Sequence, residues 1–195
     1  MPKNKPDLQK LVPFVVSDEL SMTSASRQIQ DYTVITGRAG SGKTMRGLDL
    51  ILNALREGKS VQVLDSGRSY FSLCKAVGGM YITHQSEFES NEKFDHVFPL
   101  IVYDVEEISN LGEMLTPISC PIRPVPGGFL LVDELWQMVK LFPGLQIHIE
   151  NHLRAGGSVV LLCQEPCSTL DEVFQHFWRT DIPTVRKSLV SIENK

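Results

Sequence analysis

Short apolar runs alternate with helix-like segments along most of the chain. Seven of the runs have the length and the aliphatic, β-branched composition of strands, and they lie at 32–36, 61–65, 80–83, 97–104, 129–134, 158–163 and 185–192. Some, such as 129-FLLV-132, are apolar at every position, which is the pattern of a strand covered on both faces. The alternation therefore predicts an α/β domain in which helices cover both faces of a mainly parallel sheet.

The segments between these runs carry the signals of helices. After the first run, apolar residues recur at a spacing of about 3.6 and a glycine follows them, at Met45, Leu48, Ile51, Leu52, Leu55 and Gly58. Further helices are predicted at 69–77, 105–115, 135–154 and 169–178, the third of them broken at Pro143-Gly144. Residues 1–30 are interpreted as a polar N-terminal extension with one strand candidate at 11–16. Residues 31–195 are interpreted as a single domain with a proline-rich loop at 116–128.

The composition is that of an ordinary globular protein, with 42% apolar and 22% charged residues. A net charge of −4 excludes a general attraction to nucleic acids or membranes, although a local basic channel stays open as an alternative. No apolar run approaches the ~18 residues of a transmembrane segment, and Pro13 interrupts the early apolar run too soon for a signal peptide. The four cysteines include no CxxC pair, which indicates reduced thiols. Together these features predict a cytoplasmic protein.

A glycine-rich loop lies between the first strand and the first helix, in 34-VITGRAGSGKTMRG-47. It matches G-x-x-x-x-G-K-[ST], the phosphate-binding loop, through Gly37, Arg38, Ala39, Gly40, Ser41, Gly42, Lys43 and Thr44. Successive backbone N–H groups have to point at phosphate oxygens in conformations that a Cβ would obstruct, which explains the glycines. Lys43 is expected to neutralise the β- and γ-phosphates of ATP, and Thr44 to offer its hydroxyl to Mg²⁺.

Two acids end the apolar run at 129–134. Because the carboxyl ends of parallel strands line the ligand crevice, Asp133 is expected to hold Mg²⁺ through water. Glu134 is expected to orient and deprotonate the water that attacks the γ-phosphate. The alternative is an acid that caps a helix, followed by an acid in its first turn. The presence of a phosphate loop in the same chain favours the catalytic interpretation.

Four further residues are candidates for chemistry. Gln164 ends the next strand, where its amide could bind the γ-phosphate or the water, or where it could be an ordinary strand-end residue. Arg154 ends a helix, where its plain interpretation is a cation that complements the helix dipole. His148 and His152 share one helical face, but a zinc-protease motif would need a glutamate directly after the first histidine. A solvated helix face is therefore expected at these histidines.

Beyond the loop, the segment 63-VLDSGRSYFSLCKAVGGMYI-82 resembles the one that follows the phosphate loop in TraC-type ATPases of conjugative type IV secretion. The residues that carry the resemblance are Asp65, Gly67, Arg68, Ser69, Tyr70, Leu73, Cys74, Gly78, Gly79 and Tyr81. The family's D-E-x-W segment is matched by Asp133, Glu134 and Trp136. Its helix–Arg–Gly–strand–Gln run is matched by 149-IENHLRAGGSVVLLCQ-164, so the resemblance spans roughly 30–165.

The resemblance implies a P-loop NTPase with a RecA-like core of the HerA/FtsK superfamily. In such cores the strand that ends at Gln164 lies between the strand of the phosphate loop and the strand of Asp133. The resemblance also places the family's arginine on Arg154 and its sensor glutamine on Gln164. The chain is expected to be a much shortened member, without the family's N-terminal docking domain and with the insert between the two motifs reduced to about 105–128.

Three functions stay open on the sequence. The first is an ATP-hydrolysing motor subunit, as family members form hexameric rings at the cytoplasmic face of the secretion channel. Such a subunit would act in a homo-oligomeric ring or beside a larger secretion ATPase, with secretion-channel components as partners at the inner face of the membrane. The second is a nucleotide-binding interaction subunit without hydrolysis, which the missing docking domain favours. The third is a DNA-translocating pump of the HerA/FtsK type, which the lack of a basic, aromatic-interleaved stretch disfavours.

Overall fold

The computed structural model describes residues 30–83, 98–105, 120–164, 182 and 185–192. Within these ranges the chain forms seven strands and four complete helices. The strands are Gln30–Gly37 (β1), Val61–Asp65 (β2), Met80–Ile82 (β3), Leu100–Asp104 (β4), Phe129–Val132 (β5), Ser158–Gln164 (β6) and Val185–Ile192 (β7). The helices are Lys43–Arg56 (α1), Phe71–Ala76 (α2), Leu135–Leu141 (α3) and Leu145–Arg154 (α4). All seven predicted strands are confirmed.

Several predicted elements lie outside the described residues. They are the N-terminal extension 1–30 apart from its last residue, with its strand candidate at 11–16, the helix at 105–115 apart from its first residue, and the helix at 169–178. The described part of the proline-rich loop, 120–128, contains neither helix nor strand. In the part of the chain that is described, no helix is both long and apolar enough to cross a membrane. The single-domain boundary at residue 31 stays a prediction.

The seven strands form one sheet in the order β3-β4-β2-β5-β6-β1-β7, and each neighbouring pair is parallel. This arrangement confirms the predicted α/β fold class with a parallel sheet. β6 lies between β1 and β5, as the resemblance to RecA-like cores implied. Because all strands run the same way, the carboxyl ends of β1, β6 and β5 meet at one edge of the sheet.

Helices cover both faces of this sheet, as predicted. On one face, α1, α2 and alternate strand residues form an apolar cluster that includes Ile35, Ile51, Leu55, Cys74 and Leu131. On the other face, α3, α4 and the remaining strand residues form a cluster that includes Val34, Leu130, Met138, Ile149 and Leu153. Neighbouring residues of one strand therefore belong to opposite clusters, which is the period-two alternation of a strand buried on both sides.

The predicted break in the helical segment 135–154 is confirmed at Pro143-Gly144. Gly144 has a φ of 90°, in the left-handed region that glycine adopts with little strain. The two helices on either side of this break, α3 and α4, both pack against the same face of the sheet.

His152 corrects a prediction. His148 is half-buried, but His152 is fully buried, so this face of α4 is not solvated. The reason lies in the spacing, because Leu145, Ile149 and His152 follow the helical period and share the face that packs on the sheet. The His152 ring lies so close to Gly157 that a Cβ there would overlap its Nε2, and burial lowers the pKa of His152. The described residues contain no group of three His, Cys, Asp or Glu side chains placed to hold a metal ion.

Candidate nucleotide-binding site

The glycine-rich loop connects the carboxyl end of β1 to the amino end of α1. Gly40 and Gly42 have φ values of 76° and 91°, which residues with a side chain rarely adopt. Gly37 is required by space, because a Cβ there would lie 2.6 Å from Ser41 Oγ and 2.7 Å from the carbonyl oxygen of Ile192. Each of the three glycines thus has a steric reason of its own.

The amino end of α1 offers free backbone donors. Gly42 occupies the N-cap position without a capping side chain, and the first turn of α1, which the structure describes in full, contains no acidic residue. Unpaired N–H groups and the positive end of the helix dipole make such an end an anion site. Ser41 Oγ beside it is buried and has no hydrogen-bond partner among the described residues. The loop therefore fits the phosphates of a nucleotide.

Lys43 begins α1 and is only 8% exposed. Its ammonium donates hydrogen bonds to the carbonyl oxygens of Gly37 at 2.7 Å and Arg38 at 2.9 Å. Arg38 and Ala39 are exposed at the tip of the loop, whereas Thr44 is half-buried next to Lys43. A shielded cation is therefore held against the loop, where its charge is only weakly screened by water.

Asp133 follows β5 and is 4% exposed. Its Oδ1 accepts a hydrogen bond from the backbone N–H of Glu134 at 2.9 Å, and its Oδ2 accepts one from the Tyr70 hydroxyl at 3.1 Å. Burial raises the pKa of Asp133, while these hydrogen bonds and the charge of Lys43 oppose the shift. The sheet therefore brings the Asp133 carboxylate and the Lys43 ammonium close enough for their charges to interact.

Glu134 is the N-cap residue of α3, with φ 46° and ψ 53°. A left-handed conformation is uncommon for a residue with a side chain. The half-buried carboxylate makes no capping hydrogen bond to α3, and its Oε2 instead accepts one from Trp136 Nε1 at 2.8 Å. The alternative interpretation, in which Asp133 caps α3 and Glu134 lies in its first turn, is therefore wrong, because Glu134 is itself the N-cap residue and the first turn of α3, all of which is described, contains no acidic residue.

Gln164 is the last residue of β6 and lies beside the loop. In the parallel pairing of β1 with β6, Gln164 is the register partner of Gly37, the first glycine of the loop. The residue is half-buried. Its backbone thus lies at the same sheet edge as Lys43 and Asp133.

Arg154 lies away from this edge. Arg154 ends α4 just before the start of β6 at Ser158, whereas Gln164 is the last residue of β6. The seven residues of this strand span about 20 Å, so Arg154 and Gln164 lie at opposite ends of the sheet. Its side chain is 61% exposed, and Nη2 lies 3.9 Å from Glu150 Oε2. Arg154 therefore cannot reach a nucleotide on its own loop.

The family model of the TraG P-loop domain matches residues 12–118 of the 195-residue chain. The chain belongs to the TraG P-loop domain family. This match confirms the resemblance to the ATPase family of conjugative type IV secretion. No curated protein matched the sequence.

Solved structures similar to this chain include VirB4 of Thermoanaerobacter pseudethanolicus. The TM-score is 0.57 at 14% identity, over 88% of this chain and 80% of that chain. Two structures of the genome packaging NTPase B204 from Sulfolobus turreted icosahedral virus 2 are more distant, with TM-scores of 0.45. The complex with ATP-gammaS is 16% identical and covers 72% of this chain and 67% of that chain, and the complex with AMPPCP is 18% identical and covers 70% and 65%. The likeness to VirB4 supports the P-loop NTPase fold.

The chain also contains a buried polar network that was not predicted. Asp65 and Asp104 end β2 and β4 and are fully buried. Asp65 accepts hydrogen bonds from the backbone N–H groups of Ser69 at 3.2 Å and Tyr70 at 3.1 Å. The Tyr81 hydroxyl donates to Asp104 Oδ2 at 2.9 Å and lies 3.4 Å from Asp65 Oδ2. The network therefore joins the ends of adjacent strands.

A signal for this network was present in the sequence. The apolar runs of β2, β4 and β5 each end at or just before an aspartate, and these three strands are neighbours in the sheet. Burial raises the pKa of Asp65 to about 6, the carboxylates of Asp133 and Asp104 add to the shift, and the backbone hydrogen bonds oppose it. The network reaches the surface at Arg68, whose Nε lies 3.4 Å from Asp104 Oδ2 and whose side chain is 59% exposed.

Proposed function

We propose that this chain binds Mg-ATP and hydrolyses it as a motor ATPase subunit of the conjugative-transfer kind. The observation that carries the proposal is that one sheet edge gathers the phosphate loop with Lys43, the buried Asp133 and the adjacent Glu134. The donor set suits Mg²⁺, because the hydroxyl of Thr44 and the carboxylate of Asp133 are the oxygen ligands that this cation prefers. Mg²⁺, when bound, supplies positive charge to the β- and γ-phosphate oxygens.

Each residue has a defined task in this proposal. Lys43 and the N–H groups of α1 bind and orient the phosphates. Hydrolysis forms a bond from a water oxygen to the γ-phosphorus and breaks the bond from that phosphorus to the β–γ bridging oxygen, which leaves ADP and phosphate. Glu134 accepts the proton of the attacking water, and Gln164 orients that water or the γ-phosphate.

Steady-state phosphate release tests the assignment of Glu134. The change Glu134→Gln keeps the shape of the side chain and removes its basicity, so turnover should fall at least ~100-fold, while the affinity for a fluorescent Mg-ATP analogue should stay within about two-fold. Glu57→Gln changes a glutamate that is 52% exposed at the end of α1, and it should match the wild type. Undiminished turnover in Glu134→Gln would place the catalytic base elsewhere.

A second candidate function is a nucleotide-binding subunit that does not hydrolyse ATP. The hydrogen bond from Trp136 to Glu134 favours it, because this bond occupies one oxygen of the carboxylate that the attacking water would have to reach. A wild type that binds Mg-ATP but shows no turnover at any protein concentration, with or without single-stranded DNA, would decide for this function. Turnover that depends on single-stranded DNA would instead favour a DNA-translocating pump.

We further propose that Arg154 acts in trans, in a ring such as a hexamer located at the cytoplasmic side of a secretion channel. Its distance from the loop of its own chain supports this proposal, because an arginine that stabilises the γ-phosphate would have to come from a neighbouring subunit. An arginine supplied in this way contributes ~10³–10⁵ in rate.

Mixing two inactive variants tests the role of Arg154. If Arg154 acts in trans, mixed rings of Glu134→Gln and Arg154→Ala contain interfaces with an intact base and an intact arginine, and part of the activity returns. Arg56→Ala removes another helix-end arginine, at the end of α1, and should retain activity. An inactive mixture of two variants that both assemble would contradict the trans role, and full activity of Arg154→Ala alone would identify a helix-end cation.

A further inference from the structure

Tyr70 makes a contact that the proposed chemistry leaves unexplained. It follows the turn after β2, and its side chain is fully buried on the face of the sheet that carries α1. Its hydroxyl reaches across to the neighbouring strand end and donates to Asp133 Oδ2 at 3.1 Å. We propose that Tyr70 is a positioning residue, which holds the Asp133 carboxylate in the orientation that Mg-ATP binding requires. This inference rests on the function proposed above.

The Asp133 carboxylate is fixed at both oxygens. Tyr70 donates to Oδ2, and the backbone N–H of Glu134 donates to Oδ1. The carboxylate cannot rotate about its Cβ–Cγ bond without losing one of these donors. A carboxylate has about four lone-pair sites, so about two remain for water molecules bound to the cation.

Tyr70 is itself held in place from the end of β2. The Asp65 carboxylate accepts hydrogen bonds from the backbone N–H groups of Ser69 and Tyr70. These bonds fix the turn that follows β2. Arg68 in this turn has a φ of 60°, an uncommon conformation that the surrounding contacts have to maintain. A ring fixed at its backbone and packed on all sides presents its hydroxyl at one position.

Gly47 links this hydroxyl to the phosphate loop. It lies on α1 four residues after Lys43, on the same face of the helix. A Cβ at Gly47 would lie 2.7 Å from the Tyr70 hydroxyl, so only glycine leaves room for it. Tyr70 therefore lies directly between α1, which presents Lys43 and Thr44, and Asp133, which follows β5.

An ordinary core tyrosine would share the burial and the hydrogen bond, so the test has to separate stability from metal binding. Partners that orient a metal ligand typically contribute 10–100-fold to metal affinity. Removing the hydroxyl from a tyrosine that only packs the core would lower stability without changing the response to Mg²⁺.

The experiment titrates Mg²⁺ into the full chain and a fluorescent ATP analogue, and compares Tyr70→Phe with the wild type. In EDTA, Tyr70→Phe should bind the analogue with the same affinity as the wild type. Mg²⁺ should increase this affinity in both proteins, but the Mg²⁺ concentration that gives half of the increase should be ~10–100-fold higher in Tyr70→Phe. Tyr32→Phe is the matched control, because Tyr32 is also buried but belongs to the cluster on the opposite face of the sheet. Its Mg²⁺ response should equal that of the wild type.

Each other outcome counts against the inference in a recognisable way. If Tyr70→Phe responds to Mg²⁺ as the wild type does, the positioning role is overturned. If Tyr70→Phe loses analogue binding in EDTA, the role is also overturned, because the change would then have distorted the phosphate loop itself. A wild type without any Mg²⁺ response would refute the proposed function itself, and the role of Tyr70 with it. If Tyr70→Phe does not fold, Gly47→Ala, whose methyl group displaces the hydroxyl, should show the same rise, and an unchanged Mg²⁺ response there would overturn the inference.

Discussion

Replacing Gly47 by alanine tests how closely Tyr70 packs against α1. Gly47 lies within a 14-residue helix, where alanine ordinarily stabilises the fold by about 1 kcal/mol relative to glycine. Here the added Cβ would lie 2.7 Å from the Tyr70 hydroxyl and 3.1 and 3.2 Å from methyl groups of Leu162 and Leu131. The leucine methyl groups can yield by a few tenths of an ångström, but the hydroxyl belongs to a rigid, fully buried ring.

The sign of the effect depends on which of two opposing terms is larger. Overpacking of a core costs about 1–3 kcal/mol, which cancels or exceeds the helix gain of about 1 kcal/mol. Gly47→Ala should therefore lower the free energy of unfolding by about 0–2 kcal/mol in the wild type. In the Tyr70→Phe background the nearest atom is gone, so the same change should raise that free energy by up to about 1 kcal/mol. The two substitutions should couple by about 1–2 kcal/mol.

Urea denaturation of the wild type, the two single variants and the double variant measures this coupling, with circular dichroism as the probe. Substitutions at independent sites add within ~0.3–0.5 kcal/mol. A coupling below that limit would mean that the Tyr70 hydroxyl does not pack against Gly47, and the reasoning would be refuted.

Lys43→Ala should abolish binding of a fluorescent ATP analogue, because it removes the cation that contacts the phosphates. The control Lys75→Ala, which changes an exposed lysine of α2, should bind the analogue normally. Unchanged affinity in Lys43→Ala would contradict the phosphate-loop assignment. Burial raises the pKa of Asp65 from 3.8 to about 6, so the folded protein binds this proton more tightly than the unfolded chain, and stability from this group is lost as the pH rises from about 4 to about 6. Between pH 4 and pH 7 the free energy of unfolding of the wild type should therefore fall by about 1–3 kcal/mol relative to that of Asp65→Asn. Urea denaturation at several pH values measures both free energies. If they change with pH in parallel, the pKa of Asp65 is not raised. Specific ATPase activity should curve upward with protein concentration if the chain works as a ring, and a flat line would contradict assembly.

The strands and the phosphate loop could be predicted because each depends on neighbours along the chain. The run 129-FLLV-132 ends at two acids, and the loop glycines lie between a strand and a helix, so local sequence was sufficient for both. The prediction ran β5 on to residue 134, whereas the strand ends at Val132, because Glu134 turns the chain with a positive φ. The local sequence did not indicate this turn, because the residue that adopts the positive φ is a glutamate and not a glycine.

Contacts across the sheet were beyond local sequence. Tyr70 and Asp133 are 63 residues apart, and their contact follows only once β2 and β5 are known to be neighbours. Likewise, the need for glycine at position 47 becomes visible only when the side chain above it is known. The burial of His152 could have been predicted, since the helical period of Leu145 and Ile149 already included it.

The position of β1 in the sheet has a consequence for the synthesis of the chain. β1 is the earliest described strand, yet its partners in the sheet are β6 and β7. The hydrogen bond between Asp31 and Ser158 spans 127 residues, and the one between Thr33 and Ser188 spans 155. At ~5–20 residues per second, the ribosome would finish β1 roughly 6–30 s before these partners exist. For that time both edges of β1 lack their native partners, and a strand edge without its partners is open to pairing with other chains, so the strand that carries the phosphate loop is exposed to misassembly until the last part of the domain has been made.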